Sequence, residues 1–176
     1  MSHCRKRLWT APLIAGAVSL AAAGSAAALT ITGTDMPERI IGSHQADTID
    51  ARGGDDRIHG LSGADTIDAG AGFDRVRAGR GDDVVRGGEG FDVLRGGLGH
   101  DSVSGGPGND RVFASARRDV VGDSVNGDEG DDRLFTRDGV SDRVSCGPGF
   151  DRARVDQRDV VAPDCERVRV RWRGRG

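Results

Sequence analysis

Eight aspartates stand nine residues apart: Asp47, Asp56, Asp65, Asp74, Asp83, Asp92, Asp101 and Asp110. Carboxylates brought together by a regular fold must either repel one another or share a cation. A pair of acids at fixed separation also suits glycosidase chemistry, but eight equivalent copies form the pattern of ion binding. Two residues after each aspartate comes an aliphatic: Ile49, Ile58, Ile67, Val76, Val85, Leu94, Val103 and Val112. Two residues before each of the last seven comes a glycine, from Gly54 to Gly108 in steps of nine. Three columns in register define an internal repeat.

The repeat dictates its own local structure. Six Gly/Asp-rich residues favour tight turns, because glycine accepts positive φ and leaves its carbonyl unobstructed. The Asp-x-aliphatic triplet that follows extends as a short strand, with the aliphatic on one side and its neighbours on the other. Two units make a coil of 18 residues, and coils stack as parallel strands about 4.8 Å apart. The expected fold is all-β, a parallel β-roll with a single apolar file between two sheets. That file alone is too thin to offset the ordering of so many backbones. Stacking also sets each aspartate beside the one 18 residues on, as in Asp74 with Asp92. A hard divalent cation between them removes the repulsion, and turn carbonyls complete the six to eight oxygens that calcium prefers. Magnesium demands a tighter octahedron and holds its water more firmly.

The units Gly87–Arg95, Gly96–Ser104 and Gly105–Phe113 resemble the repeats-in-toxin (RTX), or haemolysin-type, nonapeptide G-G-x-G-x-D-x-U-x. The resemblance covers roughly residues 33–154. It implies calcium as the cofactor, held by carbonyls of unit positions 2 and 4 with the position-6 Asp on one turn. Carbonyls of positions 1 and 3 and the Asp of the next coil's turn complete the site. The metal residues it implies are the eight aspartates above together with Gly79, Gly81, Gly88, Gly90, Gly97, Gly99, Gly106 and Gly108. Pairing at 18 residues predicts up to six sites. Position 2 is Ser43, Arg52 and Leu61 in the early units, so the sites of Asp74 to Asp110 are expected to be strongest and those of Asp47 and Asp56 weakest. Gly33–Ile41, with Glu38 in place of Asp, reads as a degenerate capping unit.

Beyond Asp110 the regularity fails. Asp119 keeps the nine-step, but its unit lacks turn glycines and is expected to be a calcium-free coil or an outward loop. Spacing then slips through Asp132, Asp142 and Asp151, although the Asp-x-aliphatic triplet persists at Asp132 and Asp142. Cys146 and Cys165 are 19 apart, one more than a coil; in an exported chain such a pair reads as a disulfide stapling the C-terminal end, with free thiols as the alternative. Val168 to Arg173 alternates apolar and basic residues, predicting a half-buried capping edge strand. Contact of that tail with an acidic cell-surface polymer, or with nucleic acid, is the alternative reading.

Arg5, Lys6 and Arg7, an apolar run from Leu8 to Ala23 and Ala26-Ala27-Ala28 together read as a secretory signal, with a retained anchor as the alternative. The predicted organisation is a signal at 1–28, a cap at 29–41, the calcium-binding roll at 42–113, its irregular continuation at 114–154, and a C-terminal cap with basic tail at 155–176. The body between signal and tail carries a net charge of −10, which suits a cation and argues against nucleic acid. Expected partners are calcium ions and cell-envelope or matrix polymers, with no membrane span after cleavage and an extracellular location. An enzyme is not expected: there is no His-Glu-x-x-His or Gly-x-Ser-x-Gly motif, and His44, His59 and His100 read as solvated turn residues. The alternative to a structural or adhesion role is a calcium-dependent module related to secreted hydrolases, or an enzyme of unrecognised type.

Overall fold

The Asp-x-aliphatic triplets become the strands. The computed structural model describes residues 18–19, 27–114 and 120–171; most of the proposed signal segment lies outside them, as does Asp119. One sheet contains, in order, β2 (Thr30–Thr32), β4 (Thr48–Asp50), β6 (Thr66–Gly72), β8 (Val84–Gly90), β10 (Ser102–Ser104), β12 (Ser124–Asn126), β14 (Arg143–Ser145) and β16 (Val160–Val161). A short β1 (Val18–Ser19) lies antiparallel at its N-terminal edge. The other sheet contains β3 (Arg39–Ile41), β5 (Arg57–Ser62), β7 (Arg75–Arg80), β9 (Val93–Leu98), β11 (Arg111–Phe113), β13 (Arg133–Phe135), β15 (Arg152–Asp156) and β17 (Arg167–Arg171). Chain order alternates between sheets, so each coil gives one strand to each. This is an all-β parallel solenoid of about eight turns.

Register follows the aliphatic column. Ile49 lies opposite Ile67 and Ile67 opposite Val85, each 18 residues apart. The step becomes 22 where Val103 meets Val125 and Val112 meets Leu134, because four extra residues enter between β11 and β12. It then falls to 19, 17 and 15 toward the C-terminus. Adjacent strands stay paired throughout, so the turns absorb every irregularity.

The inward file from Ile31 to Val144 is buried. A second inward file comes from unit position 1, where Ala51, Ala69, Ala78, Ala114, Cys146 and Val155 are buried beside it. Glycine at the other units conceals this column in the sequence. Cys146 and Cys165 form a disulfide with Cα atoms 5.1 Å apart, tying the penultimate coil to the end of the roll. Closing a loop of this size contributes about 3 kcal/mol.

The tail corrects one expectation. β17 is the terminal strand of its sheet, but it is not half-buried: Val168 and Val170 are 41% and 42% exposed. They fall in the inward column, opposite Ala153 and Val155, yet among the described residues no strand follows β16 in the facing sheet to cover them. No helix among the described residues is long and apolar enough to cross a membrane.

Position 2 adopts a left-handed backbone from Arg52 through Gly106. Leu61 adopts φ of 82° where the equivalent Gly79 and Gly97 have 128° and 135°. A branched L-residue in this region costs roughly 1–2 kcal/mol. Leu61→Gly is therefore expected to stabilise the calcium-loaded chain by about 1 kcal/mol, the remainder being offset by glycine's freedom in the unfolded state. Gly97→Leu should destabilise it by more, since a Cβ there would lie 2.0 Å from the carbonyl oxygen of Gly79. Denaturant midpoints in saturating calcium measure both, and shifts of the same sign would refute this account.

Candidate metal centre

Each ladder aspartate closes a turn just before a strand, and the stacking of coils fixes its carboxylate. The peptide N–H of Asp47 donates to Oδ1 of Asp65 at 2.8 Å, that of Asp56 to Asp74 at 2.7 Å, and that of Asp65 to Asp83 at 2.8 Å. Asp74 to Asp92, Asp83 to Asp101 and Asp92 to Asp110 repeat the bond at 2.9, 3.0 and 2.8 Å. The predicted neighbours are thus brought together, and each carboxylate is anchored to the preceding coil's backbone.

The ladders continue through the irregularly spaced Asp132, Asp142 and Asp151, and through Asp123, which the sequence count passed over. Asp101 and Asp110 donate to Asp123 and Asp132, and these donate in turn to Asp142 and Asp151. Asp123 takes the place that the nine-step assigned to Asp119. Its signal was available in the triplet Asp123-Ser124-Val125. Acidic residues also close the ends: Glu38 donates to Asp56, Asp142 to Asp159, and Asp151 to Glu166.

On nine of these aspartates one oxygen remains. The Oδ2 atoms of Asp56, Asp65, Asp74, Asp83, Asp92, Asp110, Asp132, Asp142 and Asp151 are buried and accept no hydrogen bond. An unsatisfied buried acceptor costs about 1–3 kcal/mol, and more when charged. Four of these oxygens, on Asp65, Asp92, Asp110 and Asp132, face the position-1 glycine of their own unit. A Cβ built on Gly60, Gly87, Gly105 or Gly127 would lie 2.3–2.5 Å from Oδ2 of its own unit's aspartate and 2.3–2.5 Å from the position-1 carbonyl oxygen one coil on. Two oxygens therefore converge on the same space inside each such turn.

The turn glycines bring further carbonyls to that space. All eight from Gly79 to Gly108 named above have positive φ. A Cβ on any of them would come within 1.5–2.4 Å of the carbonyl oxygen at the same unit position one coil earlier. Side chains are excluded, and carbonyls stack turn over turn. At positions 1 and 3, Gly105 and Pro107 accept hydrogen bonds from Gly88 and Gly90, each carbonyl keeping a second lone pair. A buried, all-oxygen donor set with carboxylates in excess fits a hard cation.

The turns are not equivalent. Oδ2 of Asp47 accepts the Ser43 peptide N–H, and its Oδ1 accepts from the Ser43 hydroxyl and the Leu29 peptide. Asp47 is thereby satisfied as a cap, whereas Asp56 keeps a bare Oδ2 despite Arg52 at position 2. In the turn before β14, which lacks the glycine pattern, Asp123, Asp138 and Asp142 bring one oxygen each within 4.8 Å of one another. His44 and His100 are exposed, but His59 lies on β5 rather than in a turn.

Burial raises the pKa of seven ladder aspartates well above the ordinary carboxylate value. Desolvation is the largest cause in every case, and neighbouring carboxylates add to it. It raises Asp83, Asp92, Asp132 and Asp142 to about 7 and Asp56, Asp74 and Asp110 to about 6.

The sequence matches the RTX calcium-binding nonapeptide repeat in four copies, over residues 32–67, 59–94, 86–121 and 122–140. The chain belongs to the RTX repeat family. No curated protein matches it. RTX nonapeptides bind calcium, so Ca2+ is the cofactor that the roll's oxygen-lined turns accommodate.

An RTX roll with these acids has a definite pH response when the ion is removed. Folded carboxylates at about 6–7 retain protons that the unfolded chain, near its ordinary value of about 4, has released. Between those limits the metal-free roll binds more protons than the unfolded chain, so its stability falls as pH rises. In EDTA the β signal in circular dichroism should be stronger at about pH 5 than at pH 7.5, and calcium added near pH 6 should release protons. Order that increases with pH in EDTA would contradict the assignment.

Proposed function

We propose that this RTX chain is an exported, non-catalytic rod whose folding is coupled to extracellular calcium, serving a structural or adhesive role. The observation that carries the reading is the column of buried Oδ2 atoms lacking any hydrogen-bond donor. In a metal-free state they must protonate or remain unsatisfied; a divalent ion in the turn neutralises two coils at once. We assign the ligands to the ladder aspartates from Asp56 to Asp110, to Asp132 and Asp151 beyond them, and to the turn carbonyls of Gly79, Gly81, Gly88, Gly90, Gly97, Gly99, Gly106 and Gly108. Asp47 is a cap that contributes least. Bound calcium supplies charge neutralisation and cross-links successive coils. The basic and apolar N-terminus supports export, where an acidic chain that stays expanded at low calcium would fold on reaching millimolar calcium.

Circular dichroism of the chain in chelator, then with calcium or magnesium added, tests the coupling. A coil-like spectrum should become β in millimolar calcium, with magnesium largely ineffective; equal order after exhaustive EDTA dialysis with no metal by elemental analysis would sink the proposal. Asp92→Asn separates the two roles of the carboxylate. Asparagine keeps an Oδ1 acceptor for the Asp74 peptide but removes the charge, so order in EDTA should increase while calcium affinity falls by roughly ten-fold or more. Asp47→Asn should change affinity much less, and equal losses at both positions would refute the ligand assignment.

A further inference from the structure

The two outer faces of the roll differ in charge. On each strand of the odd-numbered sheet, two outward residues flank the one in the inward column. From β3 to β17 these make sixteen positions; eleven are arginine, one is His59 and none is acidic. The fourteen equivalent positions from β2 to β14 on the other sheet hold eight Thr or Ser, two Arg and two Asp. Composition hides this contrast. Twelve of the 28 acidic residues are buried in the ladders, leaving sixteen elsewhere against the 22 arginines that follow residue 28.

The arginine columns follow the strand register and are partly preorganised. Successive members lie one strand spacing apart, about 4.8 Å. One column runs Arg95, Phe113, Phe135, Arg154: the rings stack at 4.5 Å between centroids, with the Arg95 guanidinium 4.9 Å from the first and that of Arg154 5.4 Å from the second. Phe73 and Phe91 stack likewise, with Arg75 and Arg111 over them. Such cation–π contacts hold guanidinium groups in place and lower the ordering cost of a later contact. A shallow cavity of about 210 Å³ on this face is lined by Arg57, His59, Arg75, Arg77 and Arg95 together with two valines, and by no carboxylate. His59 reports the local field: burial, then Arg77 and Arg39, lower its pKa.

We infer that the odd-strand face docks a linear acidic polysaccharide, laid along the roll with its anionic groups on the arginine columns. Guanidinium forks bind carboxylate and sulfate through paired hydrogen bonds. A linear chain of sugars, with charges recurring along its length, matches a row of cations repeated at the strand spacing. A nucleic-acid duplex winds its phosphates away from such a row, and single-stranded bases need bare aromatic faces, whereas these rings stack on one another under guanidinium groups.

Anisotropy of a fluorescent heparin oligosaccharide, titrated with the full chain in millimolar calcium, tests the inference. Binding should weaken with salt, and combining Arg57→Ser, Arg75→Ser and Arg77→Ser should lower affinity about ten-fold or more and reduce the salt slope by about three. Lysine at the same three sites should restore part of the affinity, and Arg86→Ser with Arg143→Ser on the opposite face should change little. Absence of binding, equal loss on both faces, competition by neutral dextran, or tighter binding of a DNA duplex would each overturn it. The inference rests on the calcium-folded state, and circular dichroism of the same samples separates the two. A calcium-induced β signal without oligosaccharide binding defeats the docking face alone; arginine-dependent binding by a chain whose spectrum ignores calcium defeats the coupling alone.

Discussion

A carboxylate shared between two coils governs this protein. Each ladder aspartate gives one oxygen to the peptide N–H of the coil before it, at distances such as 2.8 Å from Asp110 to Asp92. That bond locks the side chain inside the turn and leaves its other oxygen in a place that water does not reach. The arrangement holds register without a thick core, because every coil is tied to the next at both edges. Its cost is a file of buried acids, and buried acids need protons or metal. Calcium is thus less an addition to a finished fold than the term that lets the same carboxylates be both anchored and charged.

The link is measured from strand to strand, which explains how the roll survives its irregular end. Asp123 receives the Asp101 peptide although 22 residues separate them, and Asp142 receives Asp123 across 19. Extra residues are accommodated in turns, where solenoids tolerate insertions because each repeat touches only its neighbours. Where the glycines run out, other groups substitute. Asp128 takes the left-handed position-2 conformation at φ of 69° and hydrogen-bonds through its side chain to Ser104, Asn126 and the Gly106 peptide. Near the last coils, the Cys146–Cys165 disulfide supplies covalently what the shortened turns no longer supply by repetition.

Much of this was legible in the sequence because the repeat is a spatial period. Columns of Asp, Gly and aliphatic residues at nine residues translate directly into edges, turns and an inward file. The nine-step ended at Asp119, whose unit reads as a calcium-free coil or an outward loop, and passed over Asp123, which the Ser124-Val125-Asn126 strand aligns with the ladder. Glu166 and Asp159 escaped notice because they lack a glycine turn before them, yet the backbone donor they meet is the same. The peptide-to-carboxylate bond itself could not be read, since a spacing of 18 says that two aspartates are neighbours and not which atoms meet. The expectation that Val168 and Val170 would be half-buried assumed a covering strand that local alternation cannot guarantee.

Charge segregation follows from the same geometry. Position 6 of every unit faces the interior of a turn, while positions 7 and 9 face outward, so an acid at the first and arginine at the others sorts opposite charges to opposite sides of the backbone. A net charge summed along the chain then misdescribes what a partner meets. Once calcium neutralises the interior, the field outside the odd-strand sheet comes from arginines such as Arg57, Arg77 and Arg95, with no acid among the residues flanking its buried column. If folding is coupled to calcium as proposed, removing the ion returns those acids to solvent beside the same arginines. On the proposed calcium-coupled reading, one ion sets both whether the roll forms and whether its surface is cationic, two properties that a compact globule would set independently.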